Sequence, residues 1–159
     1  MTYQKNILII DDDPQLLSLY QRILTSKNST IIENTQDSIL MDQPFRLFLA
    51  QQGHEALRTL EALQDDSIQV AFIDMNMPPG WDGVVTTLEL LEHDPRIQIV
   101  IVSGLSLSEQ EEALRAIPQK IQFLPKPFQL EQVQKLAIEL SAIWNEKYSS
   151  IKQDDEPCH

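Results

Sequence analysis

The sequence is poor in the residues that covalent or membrane-embedded frameworks need. Its one cysteine is Cys158, next to the C-terminus, which excludes an internal disulfide network and a cysteine-ligated metal site. No apolar run approaches the roughly 18 residues that a membrane span requires. Residues 1–13 become acidic where a signal peptide would carry a longer apolar stretch. We therefore expect a cytoplasmic protein with no membrane partner.

Basic residues are also scarce. The chain has 12 Lys and Arg against 24 Asp and Glu, which gives a formal net charge of −12. A surface of that sign repels the phosphates of nucleic acids and anionic lipids, so we expect no direct binding to nucleic acid. The 159 residues, 42% of them hydrophobic, are enough for one compact domain with a sizeable core.

The sequence does contain a regular alternation of two hydrophobic patterns. Short apolar runs rich in β-branched residues alternate with segments whose apolar residues have helical spacing, which predicts five strands and five helices. Such alternation is typical of an α/β fold, because parallel strands need crossover connections. We predict a three-layer α/β/α domain with a doubly wound parallel sheet in the flavodoxin-like order 2-1-3-4-5. The predicted strands are Asn6–Ile10, Phe45–Ala50, Val70–Ile73, Gln98–Val102 and Ile121–Leu124.

Two segments lie outside this alternation. Residues 27–44 are mostly polar and make a longer connection than compact α/β units use, so we interpret them as an insertion that is dispensable for the fold. Residues 149–159 are polar and charged without periodicity, which predicts a disordered tail.

In open parallel sheets the functional crevice lies outside the carboxyl ends of the strands. The first predicted strand is followed by Asp11, Asp12 and Asp13, and then by Pro14. Helix capping explains Asp13, with Pro14 at the first helical position. It leaves Asp11 and Asp12 adjacent at a strand end, where their repulsion favours a cation such as Mg²⁺.

A third carboxylate, Asp74, follows the third predicted strand. A single aspartate at a strand end is commonly satisfied by backbone N–H groups, so alone it would indicate little. In the order 2-1-3-4-5 the first and third strands are neighbours, which would bring Asp74 beside Asp11 and Asp12. Three carboxylates at one place make a cation nearly obligatory.

Ser103 and Lys126 follow the fourth and fifth predicted strands. Separately, such a serine is most often a local backbone cap and such a lysine a solvated surface charge. Together they would place a hydroxyl and an ammonium in the same crevice as the carboxylates, an arrangement suited to a phosphoryl group. Gly104 would leave the approach to that crevice open.

These residues resemble the receiver domains of response regulators in two-component signalling. The resemblance extends from Lys5 to Trp144 and rests on ILIIDDDP, GHEAL, IDMNMPPGWDG, IVIVSG and FLPKPF, in that order and mostly at strand ends. It implies a receiver domain over residues 1–148 with the insertion at 27–44. Departures from the family's minimal form are the insertion and the MPPGWDG turn, which is similar to receiver modules attached to larger sensor or cyclase proteins.

The resemblance implies a role for each acidic residue. Asp74 would be the phospho-acceptor. Mg²⁺ or Mn²⁺ would be bound by Asp12, Asp74 and the main-chain carbonyl of Asn76, and Asp11 would act on the metal through water.

The same resemblance implies that the Ser103 hydroxyl and the Lys126 ammonium meet the phosphoryl oxygens, and that the Lys126–Pro127 peptide bond is cis. Phe123 matches the aromatic switch residue of the family. An ordinary buried core aromatic explains Phe123 equally well.

A receiver domain implies a histidine kinase or histidine phosphotransfer protein as the phosphoryl donor and a downstream effector or fused output domain as the target. The resemblance is compatible with a homodimer and does not require one. The domain's chemistry would be limited to its own phosphorylation and autodephosphorylation.

One alternative is a Mg²⁺-dependent phosphohydrolase with an aspartyl-phosphate intermediate, for which Asp11–Asp13 could supply the nucleophile. Turnover of small phosphate esters would distinguish that enzyme from the receiver. A phosphate-insensitive scaffold of the same fold is a further alternative.

Overall fold

The computed structural model describes residues 5–25, 45–63 and 66–154. Over these ranges strands and helices alternate as the sequence predicts, and the strand ends differ from the predicted ones by at most one residue. The elements are β1 Asn6–Ile10, α1 Pro14–Thr25, β2 Arg46–Ala50, α2 Gly53–Ala62, β3 Val70–Asp74, α3 Gly83–His93, β4 Gln98–Ser103, α4 Leu107–Ala116, β5 Ile121–Pro125 and α5 Leu130–Asp154.

The sheet has the order β2-β1-β3-β4-β5, and every neighbouring pair is parallel. This confirms the predicted doubly wound α/β topology. Ile7 of β1 lies between Leu47 of β2 and Val70 of β3. Because β1 and β3 are adjacent, the residues that follow them meet at one edge of the sheet.

Two hydrophobic clusters cover the two faces of the sheet. All residues of β1 and β3 are buried, which explains why these strands have continuous apolar runs. Leu8 and Ile73 belong to the cluster packed by α2 and α3, whereas Ile9 and Phe72 belong to the cluster packed by α1 and α5. Phe72 is 1% exposed, and truncating it to alanine would cost about 3–5 kcal/mol of stability.

Local hydrogen bonds fix the helix beginnings near the functional edge. The Asp13 carboxylate accepts from the backbone N–H of Gln15 at 2.9 Å, which confirms Asp13 as the cap of α1. The Asp82 carboxylate caps α3 by accepting from the N–H of Val85. The sequence therefore sets where these two helices leave the sheet edge.

The C-terminal boundary differs from the prediction. Helix α5 continues through Asp154, six residues beyond the predicted domain boundary at residue 148, and the disordered tail stays a prediction. Trp144 and Tyr148 form an aromatic pair at one helical turn, with ring centroids 5.6 Å apart. Extending an established helix costs far less than starting one, so polar residues can continue it without an apolar face of their own. Residues 155–159 and the predicted insertion at 27–44 lie outside the described residues.

No helix within the described ranges combines the length and apolar character needed to cross a membrane.

Candidate functional site

The carboxyl ends of the central strands bring the predicted polar residues to one edge. Asp11 follows β1, Asp74 ends β3, Ser103 ends β4, and Lys126 follows β5. The backbone N–H of Asp11 donates to the carbonyl of Ala50 at 3.0 Å, which ties the turn after β1 to the end of β2. Rigid strands thus position each group.

Asp74 and Lys126 form the central ion pair of this edge. Lys126 Nζ lies 2.9 Å from Asp74 Oδ1. The Asp74 side chain is 6% exposed, whereas that of Lys126 is 34% exposed. The ammonium therefore reaches the buried carboxylate from the solvent side. The N–H of Asn76 points to the same Asp74 oxygen at 3.5 Å, a weak contact.

The Asp11 carboxyl group is buried, and its negative charge is poorly stabilised by its surroundings. Its Oδ1 accepts from the N–H of Asp13 at 2.9 Å, but its buried Oδ2 has no hydrogen-bond partner among the described residues. Burial raises the pKa of Asp11 to about 6, helped by the charge of Asp74 and opposed by the Asp13 N–H and by Lys126. Such an unsatisfied acceptor requires a donor or a cation.

Asp11, Asp12 and Asp74 form a three-carboxylate cluster. One oxygen from each lies within 4.8 Å of the others, and Asp11 and Asp74 are buried. At that separation each ionised pair repels by about 3 kcal/mol for an effective dielectric of 20, and Lys126 supplies only one compensating charge. A set of carboxylate oxygens with an unsatisfied Asp11 oxygen fits a hard divalent cation such as Mg²⁺.

Ser103 is connected to Lys126 through the backbone. Ser103 is 3% exposed, and its main-chain carbonyl accepts from the N–H of Lys126 at 2.9 Å. A Cβ built on Gly104 would meet no atom within 4 Å, so the space beside Ser103 is open as expected. The Lys126–Pro127 peptide bond is cis, as the resemblance implies, and the Pro78–Pro79 bond is also cis.

Phe123 lies further from the carboxylates, in the middle of β5. It is half-buried and packs against the cluster between the sheet and helices α2 and α3. This contact agrees with a core role, while its role as a switch stays a prediction.

Two residues near the carboxylates carry roles that the sequence analysis missed. A Cβ on Gly83 would lie 2.9 Å from the Met75 Cα and 3.1 Å from the Asp74 carbonyl oxygen, so α3 approaches the Asp74 backbone closely. A glycine directly after the capping residue Asp82 was the sequence signal that could have predicted this close approach. The other residue is Tyr20 of α1, whose pKa is raised by burial and by the charges of Asp11 and Asp74.

Comparison with known families decides what kind of domain this is. A family profile described as a response regulator receiver domain matches residues 28–138. The chain belongs to this family. The match does not include β1 and the acidic residues after it, so the comparison itself says nothing about Asp11 and Asp12.

Two curated proteins resemble part of this receiver domain. A protein-glutamate methylesterase/protein-glutamine glutaminase of Methanospirillum hungatei is 33% identical over 112 residues, 70% of this chain and 27% of that protein. One of Rhodospirillum rubrum is 26% identical over 96 residues, 60% of this chain and 24% of that protein. The chain spans about a quarter of the length of these relatives.

Solved structures agree on the receiver fold. A CheY-like receiver domain protein from Methanospirillum hungatei aligns with a TM-score of 0.70 and 19% identity, covering 91% of this chain and 99% of that one. A structure described as adenylate cyclase from Rhodopirellula baltica aligns with a TM-score of 0.72 and 20% identity, covering 98% and 100%. At these identities the alignments show the fold alone.

Proposed function

We propose that this receiver domain accepts one phosphoryl group on Asp74 in a divalent-metal-dependent reaction and changes conformation to regulate a partner. The donor would be the phosphohistidine of a histidine kinase or histidine phosphotransfer protein. The observation that carries this proposal is the Asp74–Lys126 ion pair at 2.9 Å, set beside two further carboxylates. In this proposal Asp74 would be the nucleophile and Lys126 the cation that binds the phosphoryl group, at the same edge of the sheet.

The acidic residues would share the metal. Asp12, Asp74 and the main-chain carbonyl of Asn76 would hold Mg²⁺ or Mn²⁺ directly, and Asp11 would act through a bound water. A bound divalent ion supplies the positive charge that offsets the incoming phosphoryl group and helps to align it. The unsatisfied Asp11 oxygen supports this assignment because a metal-bound water could donate to it.

In the transfer step a carboxylate oxygen of Asp74 attacks the phosphorus. An O–P bond forms, the P–N bond to the donor histidine breaks, and its electron pair returns to the imidazole nitrogen. Lys126 is already held against Asp74 and would pair with a phosphoryl oxygen as charge moves onto that group. The Ser103 hydroxyl would donate a hydrogen bond to another phosphoryl oxygen.

The conformational response would begin at Ser103 and Lys126, since the side chains of both would bind the new phosphoryl group. Their backbones are joined by a hydrogen bond, so a displacement of one affects the other. Phe123 on β5 would transmit this change to the surface that binds an effector or an attached output domain. Phosphorylation would thereby shift an equilibrium between two conformations.

The direct test is incubation with acetyl phosphate or phosphoramidate, with Mg²⁺ or with EDTA, read by intact mass. We expect a single phosphoryl adduct that forms with Mg²⁺ and fails to form in EDTA. Asp74→Asn should abolish the adduct because an amide is a poor nucleophile, and Asp12→Ala should reduce it by weakening the metal site.

Asp82→Asn is the matched control, because Asp82 is an exposed carboxylate in the same loop that caps α3. It should label as the parent does. Labelling that survives Asp74→Asn, or proceeds equally in EDTA, would overturn the proposal. Continuous release of phosphate from small phosphate esters would instead favour the phosphohydrolase.

A further inference from the structure

A cavity lies at the opposite edge of the sheet from Asp74. It has a volume of about 270 Å³ and is lined where β4 and β5 begin, at Gln98 and Lys120. Helix α5 forms the remaining wall with residues near its C-terminal end, including Ile143 and Tyr148. The cavity is slightly smaller than the sites that hold drug-sized molecules, so its size suits a smaller ligand.

Part of the cavity lining consists of buried apolar side chains. Ile97, Ile99 and Leu140 line it and are each less than 5% exposed. A ligand could therefore bury a short apolar tail against these three side chains.

The charge of the cavity is opposite to that of the protein. Among the described residues, its lining includes Lys120 and Lys147 and no acidic residue, in a chain whose formal net charge is −12. Neither lysine forms an ion pair with a carboxylate in the described parts of the chain. Asp94, in the neighbouring loop, is already paired with Arg96 at 2.9 Å. Two ammonium groups with no carboxylate partner among the described residues favour an anion.

The wall formed by α5 is held in place by aromatic contacts. The Arg96 guanidinium lies over the Trp144 ring at 5.5 Å, and the Trp144 and Tyr148 ring centroids are 5.6 Å apart. Trp144 is 3% exposed and its neighbour Tyr148 lines the cavity. Trp144 therefore contacts a residue of the cavity lining, so its fluorescence should respond to occupancy of the cavity.

We propose that this cavity binds a small organic carboxylate with a short apolar tail. The tail would pack on Ile97, Ile99 and Leu140, and the carboxylate would lie between the ammonium groups of Lys120 and Lys147. The site is separate from Asp74 and does not depend on phosphorylation.

The test uses three probes with the same six-carbon chain: hexanoate, hexanol and hexylamine. Each is titrated into full-length Trp81→Phe protein, in which Trp144 is the remaining tryptophan of the two in the chain. We expect saturable fluorescence changes with hexanoate and markedly weaker binding of hexanol and hexylamine. Added salt should weaken hexanoate binding, because the contributing charges are exposed.

Two double variants in the same background locate the site. Lys120→Gln with Lys147→Gln should weaken hexanoate about three- to ten-fold, while Lys135→Gln with Arg115→Gln, which removes two exposed charges away from the cavity, should leave affinity unchanged. Both should melt at the parent temperature, and Asp74→Asn should bind hexanoate normally. No saturable change with hexanoate, equal binding of hexylamine, or an unaffected Lys120/Lys147 variant would each overturn the proposal.

Discussion

The backbone N–H of Lys126 donates to the main-chain carbonyl of Ser103 at 2.9 Å, while its side chain reaches Asp74 Oδ1 at the same distance. One residue thus connects the predicted phospho-acceptor to the ends of both β4 and β5. A phosphoryl group on Asp74 that engages the Lys126 ammonium would pull on this backbone connection. The α4–β5–α5 side of the domain should therefore respond most strongly.

Phosphorylation should change backbone NMR chemical shifts mainly between Ser103 and Leu140. The reason is the direct connection of Ser103 and Lys126 to Asp74, whereas α1 is fixed to the sheet by buried side chains such as Tyr20. The measurement compares ¹⁵N–¹H spectra with Mg²⁺ alone and with Mg²⁺ plus phosphoramidate. Changes confined to Pro14–Thr25 would contradict the expected response surface.

Lys126→Met should separate phosphorylation from its consequence. The substitution keeps an unbranched side chain that is one atom shorter, and it removes the ammonium next to Asp74. We expect the adduct still to form with Mg²⁺ and acetyl phosphate, while the shift changes between Ser103 and Leu140 shrink by at least about half. Lys135→Met, which alters an exposed lysine on α5, is the control. A full spectral response in Lys126→Met would show that the lysine is not needed for the switch.

Asp11→Asn should stabilise the metal-free protein near neutral pH. The folded pKa of Asp11 is raised from 3.8 to about 6, so the folded state holds this proton more tightly than the unfolded state. Its ionisation therefore lowers stability as pH rises from about 4 to about 6, and the loss is complete above that range. Asparagine removes the charge and can keep the oxygen that accepts from the Asp13 N–H.

Urea unfolding in EDTA would measure this effect. At about pH 7.5 the variant should be more stable by about 1–2 kcal/mol, allowing for solvent screening, and the difference should vanish near about pH 4. Asp13→Asn serves as a neighbouring control that also removes one negative charge. Equal stabilities of parent and Asp11→Asn across this pH range would show that the buried carboxylate is not destabilising.

Gly83→Ala and Gly104→Ala should differ in stability although both add one methyl group. The Gly83 methyl would lie 2.9 Å from the Met75 Cα, so the backbone beside Asp74 must move, while the Gly104 methyl meets nothing within 4 Å. We expect a loss of about 1–3 kcal/mol for Gly83→Ala and a change within about 0.5 kcal/mol for Gly104→Ala. Urea midpoints compare the two, and equal midpoints would contradict the close approach of α3.

Much of the site was predictable because it depends on strand ends. Asp74 and Ser103 each close an apolar run, and the topology that follows from strand and helix alternation brings their strands side by side. The carboxylate cluster then follows from β1 and β3 being neighbours. The sequence predicts this much because buried parallel strands leave a clear hydrophobic pattern.

Three other features depend on tertiary packing and could not be predicted from the sequence pattern. The raised pKa of Asp11 results from how deeply its carboxyl group is buried, and no local pattern encodes that depth. The continuation of α5 through Asp154 follows from the helix already being established, which the polar composition of its last residues does not indicate. The cavity where β4 and β5 begin requires Gln98 of β4, Gln119 of the loop before β5 and Tyr148 of α5 to converge.

The position of β1 in the sheet has a consequence for synthesis on the ribosome. This strand is buried along its whole length between β2 and β3, and its first residue, Asn6, bonds to Gln69, 63 residues later in the chain. Until β3 emerges, the nascent polypeptide carries Ile7–Ile10 without that partner. Stalled chains that stop before β3 should be cut by thermolysin within β1, whereas chains with β3 and β4 outside the exit tunnel should resist. Early protection would mean that β1 and β2 form a stable pair before the rest of the sheet is made.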